Sequence, residues 1–161
     1  MIIIITGTPG TGKTVLAKAL SKVIKYKYLD VNKIIRKHKL RESYDEKRHT
    51  YVVDENKLAK LLIQEIKKEP NLIIDSHLSH YILQKYVDLC IVTTTDLKVL
   101  KKRLIKRKYS LIKIKDNLEA EAFEICLVEA LEAKHKVIEL NTTKRTINQC
   151  LNYLKNESCT N

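Results

Sequence analysis

The chain has three glycines, and all of them, Gly7, Gly10 and Gly12, fall within Gly7-Thr8-Pro9-Gly10-Thr11-Gly12-Lys13-Thr14. Glycine serves where the backbone needs a positive φ or where an anion must approach its N–H groups closely. The spacing is the G-x-x-x-x-G-K-[ST] pattern, a P-loop whose amides surround a β-phosphate while Lys13 reaches the β and γ oxygens. Such a loop requires a buried strand before it and a helix after it. Met1 to Ile5 is a continuous apolar run suited to a central parallel strand, and Thr14 to Ile24 places Leu16, Ala17, Leu20, Val23 and Ile24 on one helical face. The N-terminus of that helix adds partial positive charge where the phosphates would lie.

The rest of the chain repeats the alternation. Tyr28 to Asp30 reads as a short strand and Val31 to Lys39 as a helix. Arg41 to Asp54, charged and rich in Tyr without a clean period, reads as a mobile loop. Asn56 to Lys68 is an amphipathic helix stopped by Pro70. Leu72 to Asp75 and Val87 to Val92 are apolar strands, Asp96 to Arg107 a basic helix, and Leu118 to Ala133 a helix carrying Glu119, Glu121, Glu124, Glu129 and Glu132. Lys136 to Leu140 is the last strand and Thr146 to Leu154 the last helix. Five strands alternating with helices predict an α/β three-layer P-loop fold, a parallel five-stranded sheet covered on both faces.

At 161 residues one core suffices without disulfides. Cys90, Cys126, Cys150 and Cys159 have no C-x-x-C or zinc-ligand spacing, so reduced thiols are expected, the first three as half-buried fillers. No apolar run is long enough to span a membrane and the first residues lack the features of a signal peptide, so no membrane partner and a cytoplasmic setting are expected. The 31 Lys and Arg against 19 Asp and Glu give a formal net charge of +12. That excess suits either a polyanionic partner or a surface kept soluble by lysine.

A P-loop must also hold Mg²⁺, which bridges phosphate oxygens. Thr14 supplies one ligand, and Asp75, at the carboxyl end of an apolar strand, is the second candidate, because neighbouring parallel strands end at one sheet edge. Asp75 as a plain helix cap is the alternative. His77, two residues on, can orient a water or the transferred phosphoryl, or be structural; His80 is read as structural. Arg103 and Arg107 share a helical face and can stabilise charge on a transferring phosphoryl group. Lys101 to Lys108 can instead be a solvated helix or an RNA-contacting stripe, and the context favours a phosphate clamp for Arg107.

The order of these segments, GTPGTGKT, Tyr44-Asp45-Glu46, Asp54-Glu55-Asn56-Lys57, Asp75-Ser76-His77, Arg103 to Ser110 and Asn117-Leu118-Glu119-Ala120-Glu121, resembles the archaeal and eukaryotic nuclear adenylate kinases that double as small-subunit ribosome maturation ATPases. The resemblance extends to about Thr143. It implies a broad-specificity nucleoside monophosphate kinase, ATP + AMP giving two ADP, with a slower ATPase. By position it assigns Gly10, Thr11, Gly12, Lys13, Thr14 and Val15 to ATP, and Asp75 and His77 to a D-x-H motif. Arg36 falls on the monophosphate, within a lobe of about residues 28–51 that includes Tyr44 and Asp45. Arg107 falls on a short lid of about residues 106–116, too short and cysteine-free for a zinc-bearing lid. The family often has glycine where this chain has Lys108 and Ser43, which implies stiffer hinges there. The partners it implies are AMP or another monophosphate, pre-rRNA, and a small-subunit ribosomal protein whose basic tail could lie along the acidic helix Leu118 to Ala133.

Overall fold

The computed structural model describes residues 1–158, so Cys159 lies outside the described residues. β1 (Ile2–Thr6) is the middle strand of a five-stranded sheet ordered β2-β5-β1-β6-β7, where β2 is Lys27–Asp30, β5 Leu72–Asp75, β6 Leu89–Thr94 and β7 Val137–Asn141. All four pairings are parallel. Side chains alternate across a strand, so the four isoleucines of β1 serve two cores at once. Ile2 and Ile4 face one layer with Val31, Ile34 and Ile35 of α2 (Val31–Lys37), Leu58, Leu62 and Ile66 of α3 (Glu55–Lys68) and Ala130 of α6 (Ile125–Glu132). Ile3 and Ile5 face the other, with Leu16, Ala17 and Leu20 of α1 (Lys13–Ile24) and Cys150, Leu151 and Leu154 of α7 (Ile147–Ser158). Each fully buried aliphatic side chain contributes roughly 1.5–3 kcal/mol, and the two layers together give the three-layer α/β architecture expected.

Parallel pairing in register brings the strand ends to one edge. Ile5 of β1 lies opposite Asp75 of β5, which lies opposite Asp30 of β2. Asp30 there caps α2, accepting from the Asn32 amide at 2.9 Å, and Asp54 caps α3 through the Lys57 amide at 2.9 Å. A third, small cluster of Leu100, Leu104 and Ile114 joins α4 (Leu97–Lys106) to α5 (Leu111–Ala122).

Two local expectations are overturned. Arg41 to Asp54 is not an irregular loop: β3 (Arg41–Asp45) and β4 (Thr50–Val53) pair as an antiparallel hairpin. Tyr44 and Tyr51 contact ring to ring at 4.9 Å, and the Arg41 guanidinium lies 4.1 Å over the Tyr51 ring. The hairpin is exposed on both faces, so it leaves no alternation of apolar and polar residues to read. The acidic helix Leu118 to Ala133 is likewise two helices, α5 and α6, broken at Glu124, whose φ of 52° is left-handed. The break lets α6 fold back so that Ala130 reaches the core.

It also removes the continuous acidic face. Glu121 is buried, Glu129 lies against His80 and Tyr81, and Glu119 lies 3.7 Å from Lys115. Glu124 and Glu132 remain exposed. Of the two positions where the resemblance places glycine, Lys108 adopts φ 57° and carries the associated strain, whereas Ser43 sits in β3 beside a shift of register.

At Gly7 the φ is +133°, and a Cβ would collide with the Thr93 backbone carbonyl in the neighbouring β6. Gly7→Ala should therefore destabilise the fold by about 2–3 kcal/mol. Urea unfolding checks this, and an unchanged midpoint would mean that the loop leaves β1 by another route.

Candidate phosphoryl-transfer site

The loop between β1 and α1 is shaped by backbone. Gly7, Gly10 and Gly12 all have positive φ, and Gly12 caps α1 with no side-chain oxygen, which leaves the first amides of the helix directed at an incoming anion. Inside the loop Thr8 O accepts from the Thr11 amide at 3.2 Å and from its hydroxyl at 2.8 Å. The Lys13 ammonium donates to the carbonyls of Gly7 and Thr8 at 2.6 and 2.9 Å. Burial lowers the Lys13 pKa to about 8; Cys126, Asp75 and Glu121 oppose that fall and Arg107 adds to it. Cys126 helps only as a thiolate, and burial raises its own pKa, so at neutral pH the opposing charge comes from the carboxylates.

Two cavities meet at this loop. The larger, about 650 Å³, is lined by Lys13, Thr14, Asp75, His77 and Arg107, with Arg48 and Thr50 from the hairpin and Lys113, Asp116 and Asn117 from α5. The smaller, about 400 Å³, is lined by Gly10, Arg103, Thr142, Arg145 and Ile147. Gly12, Val15 and Arg107 belong to both.

The two oxygens expected to hold Mg²⁺ face the larger cavity. Asp75 is buried, and one of its carboxylate oxygens accepts from the Tyr28 hydroxyl at 2.9 Å. That bond leaves the other oxygen for a cation. Thr14 is exposed at the mouth. Two protein oxygens beside nucleotide phosphates and water match the sparse ligand set Mg²⁺ prefers, and among the described residues no group of three or more His, Cys, Asp or Glu offers a protein cage instead.

His77 keeps contact with the water of the cavity, yet protein atoms crowd the ring. That desolvation, then the positive charges of Lys13 and Lys113, lower its pKa to about 4, so the imidazole is neutral at pH 7. It can accept or donate a hydrogen bond to a phosphoryl oxygen or water without adding charge. His80 is buried, with Nδ1 2.8 Å from the Thr6 hydroxyl. Its Nε2 lies 2.9 Å from Glu129 but out of line for a hydrogen bond. Burial, the largest influence, lowers its pKa against the opposing pull of Glu129. His80 also lines the larger cavity.

Arg107 is the C-cap of α4, and its exposed side chain stands where the two cavities join. Arg103, one turn earlier, donates to the Gly10 carbonyl at 3.1 Å and to the Thr142 hydroxyl at 3.2 Å, bracing the loop from the side of the smaller cavity. Arg36, Tyr44 and Asp45 line neither cavity. Arg36 is exposed on α2, and Asp45 accepts from Arg48, whose hydrogen bonds lower the Asp45 pKa.

Arg48 and Asp116 escape a reading of the sequence alone. The Arg48 guanidinium donates to Asp116 at 2.6 Å and to Asp45 at 3.0 Å, and the Ser110 hydroxyl donates to the Lys47 carbonyl at 3.4 Å. The hairpin turn thus touches α5 and its N-cap Ser110 over the larger cavity. A lone Arg in a charged segment has no spacing that announces such a role.

Residues 3–124 match a family described as an AAA domain. Over 153 residues the chain is 44% identical to a protein of Methanosarcina acetivorans named "Putative adenylate kinase", covering 91% of this chain and 80% of that one. A protein of the same name from Methanocaldococcus jannaschii is 38% identical over 147 residues, with the same coverage of 91% and 80%. The chain belongs to this adenylate kinase family. It is a P-loop kinase, a phosphotransferase for which ATP is the expected donor. Among solved structures, the shikimate kinase of Bacteroides thetaiotaomicron superposes with a TM-score of 0.68 at 16% identity, covering 97% of this chain and 96% of that one. The shikimate kinase of Acinetobacter baumannii in complex with shikimate superposes with a TM-score of 0.66 at 14% identity, covering 99% and 93%. These two show the shared fold.

With Arg107 at the junction, its contact should strengthen as charge moves onto the transferring group. Arg107→Ala should lower kcat by about 100-fold or more while raising KM for ATP only severalfold. Steady-state kinetics with ATP varied checks this; equal changes in both would make it a ground-state phosphate binder.

Proposed function

We propose that the protein is a nucleoside monophosphate kinase of the adenylate kinase type, ATP + AMP giving two ADP, with Mg²⁺ held by Thr14 and Asp75. The observation that carries this reading is the pair of cavities joined at the P-loop with Arg107 between them. The donor nucleoside occupies the smaller cavity and its triphosphate crosses the loop. The acceptor lies in the larger cavity, so that its phosphate oxygen attacks the γ-phosphorus in line as the bond to the leaving ADP oxygen breaks.

Lys13 leaves the Gly7 and Thr8 carbonyls for the β and γ oxygens, exchanging weak partners for charged ones. Neutral His77 orients the phosphoryl group, and Arg107 takes up the charge that develops on it. Mg²⁺ held by Thr14 and Asp75 would offset the negative charge of the phosphates. Arg36, with Tyr44 and Asp45, belongs to a monophosphate lobe of about residues 28–51, which reaches the acceptor as the hairpin and the lid of about residues 106–116 close. The expected setting is the cytoplasm; among the described residues no helix is long and apolar enough to cross a membrane.

A second reading, an ATPase that acts on small-subunit ribosomal precursors, is favoured by one surface. Lys98, Lys101, Lys102, Lys106 and Lys108 are exposed on and just after α4, and none is in an ion pair among the described residues. Such a face suits the phosphates of pre-rRNA. The protein contact placed on the acidic helix has lost most of its carboxylates to internal partners.

An initial-rate panel of AMP, CMP, UMP and GMP against an acceptor-free control separates the readings. ADP formation should rise at least about tenfold with one of the four. Arg36→Ala should abolish most of that rise and leave acceptor-free hydrolysis nearly intact. No stimulation by any monophosphate would overturn the kinase reading in favour of the ATPase or of another small-molecule acceptor.

A further inference from the structure

Glu121 stands apart from both cavity walls, and it is the buried member of the acidic stretch, 9% exposed. A carboxylate removed from water is costly unless hydrogen bonds and a counter-charge receive it. Glu121 has both. The Thr95 amide, just beyond the end of β6, donates to its Oε1 at 2.7 Å. Burial, the largest influence, raises its pKa, and the adjacent Thr8 hydroxyl, the Thr95 amide and the charge of Lys13 oppose that rise.

Thr8 is the P-loop residue whose carbonyl receives Lys13 at 2.9 Å and both the amide and the hydroxyl of Thr11. Holding Thr8 therefore holds the platform on which the phosphate-binding lysine rests. Glu121 does this from α5, the helix whose earlier residues Lys113, Asp116 and Asn117 overhang the larger cavity. Asp116 and Glu121 are five residues apart, about 7.5 Å along a helix axis. The middle of this helix is thus tied to the hairpin by Arg48 at 2.6 Å, and its last turn to Thr95, just beyond β6, with the Thr8 hydroxyl of the P-loop beside it. The left-handed turn at Glu124, which ends α5 and sends α6 back to the sheet, permits this placement.

We propose that Glu121 is a positioning residue that links the lid to the P-loop: with α5 held over the acceptor by Arg48 and Asp116, its carboxylate fixes Thr8 and Thr95 and sets the loop for the donor phosphates. The link to the acceptor rests on the kinase reading; the grip on the P-loop does not. Glu121 touches no reacting atom and acts through Thr8.

The test is calorimetric binding of a non-hydrolysable ATP analogue, with and without AMP, to the wild type and to Glu121→Ala, Glu121→Gln and Asp116→Asn. Without AMP, Glu121→Ala should weaken the analogue about tenfold, as expected for loss of hydrogen bonds to a charged group. Glu121→Gln keeps an oxygen for the Thr95 amide and should recover to within about threefold of the wild type. In the wild type AMP should tighten the analogue, and this enhancement should vanish in Glu121→Ala and in Asp116→Asn, since coupling between two sites requires the element that joins them.

Wild-type affinity in Glu121→Ala, or a loss in Glu121→Gln as large as in Glu121→Ala, would overturn the positioning role. If Glu121→Ala does not fold, Asp116→Asn decides alone, because its residue is on the surface: retained enhancement overturns the link. Failure of the wild type to bind AMP would sink the acceptor reading, while the contrast between the Ala and Gln variants, measured with the analogue alone, would still decide the grip on the P-loop.

Discussion

A lysine ammonium inside a protein must find negative charge and acceptors there, and the surroundings of Lys13 are arranged around that requirement. Burial pulls its pKa to about 8. The Gly7 and Thr8 carbonyls take its hydrogens, and carboxylates at the end of β5 and in α5 supply the charge. Those carbonyls turn inward because the loop glycines adopt positive φ, and the loop leaves β1 at the sheet edge because the parallel strands end there in register. A triphosphate offers Lys13 stronger partners than carbonyls, so the same constraint that shapes the ligand-free loop favours capture of the nucleotide.

The proposed lid, residues 106–116, has a different physical basis. It has little core: Leu100, Leu104 and Ile114 form a small apolar seat, and Leu111 at the start of α5 is 85% exposed. Its contact with the hairpin is polar, through Arg48, Asp116 and Ser110. Exposed ion pairs are individually weak and sensitive to salt, which suits the opening and closing that the proposed kinase function asks of this element. The buried end of the same helix, at Glu121, is the firm one.

Much of this was legible in the sequence because the signals were strong and local. Glycine confined to one octapeptide, a run of isoleucines before it and a lysine-edged amphipathic helix after it identify β1, the loop and α1. Asp75 ends a four-residue strand that is apolar up to its last position, so its place at the sheet edge follows from parallel pairing. The hairpin was hidden because a ribbon solvated on both sides shows no period, and the break at Glu124 because no Gly or Pro marks it. Glu121 and Arg48 were unreadable for a shared reason. Each sits among like residues in a charged stretch, and only tertiary packing separates a buried carboxylate or a bridging guanidinium from its solvated neighbours.

The central claim is that donor and acceptor lie in cavities that meet at Arg107 so that their phosphates align. Equilibrium titration with a bisubstrate compound, two adenosines joined by five phosphates, tests it most directly. We expect one molecule bound per chain, at least about 100-fold tighter than ATP, since the two halves share one entropic cost of binding. An affinity no greater than that of ATP, or two molecules bound per chain, would contradict it.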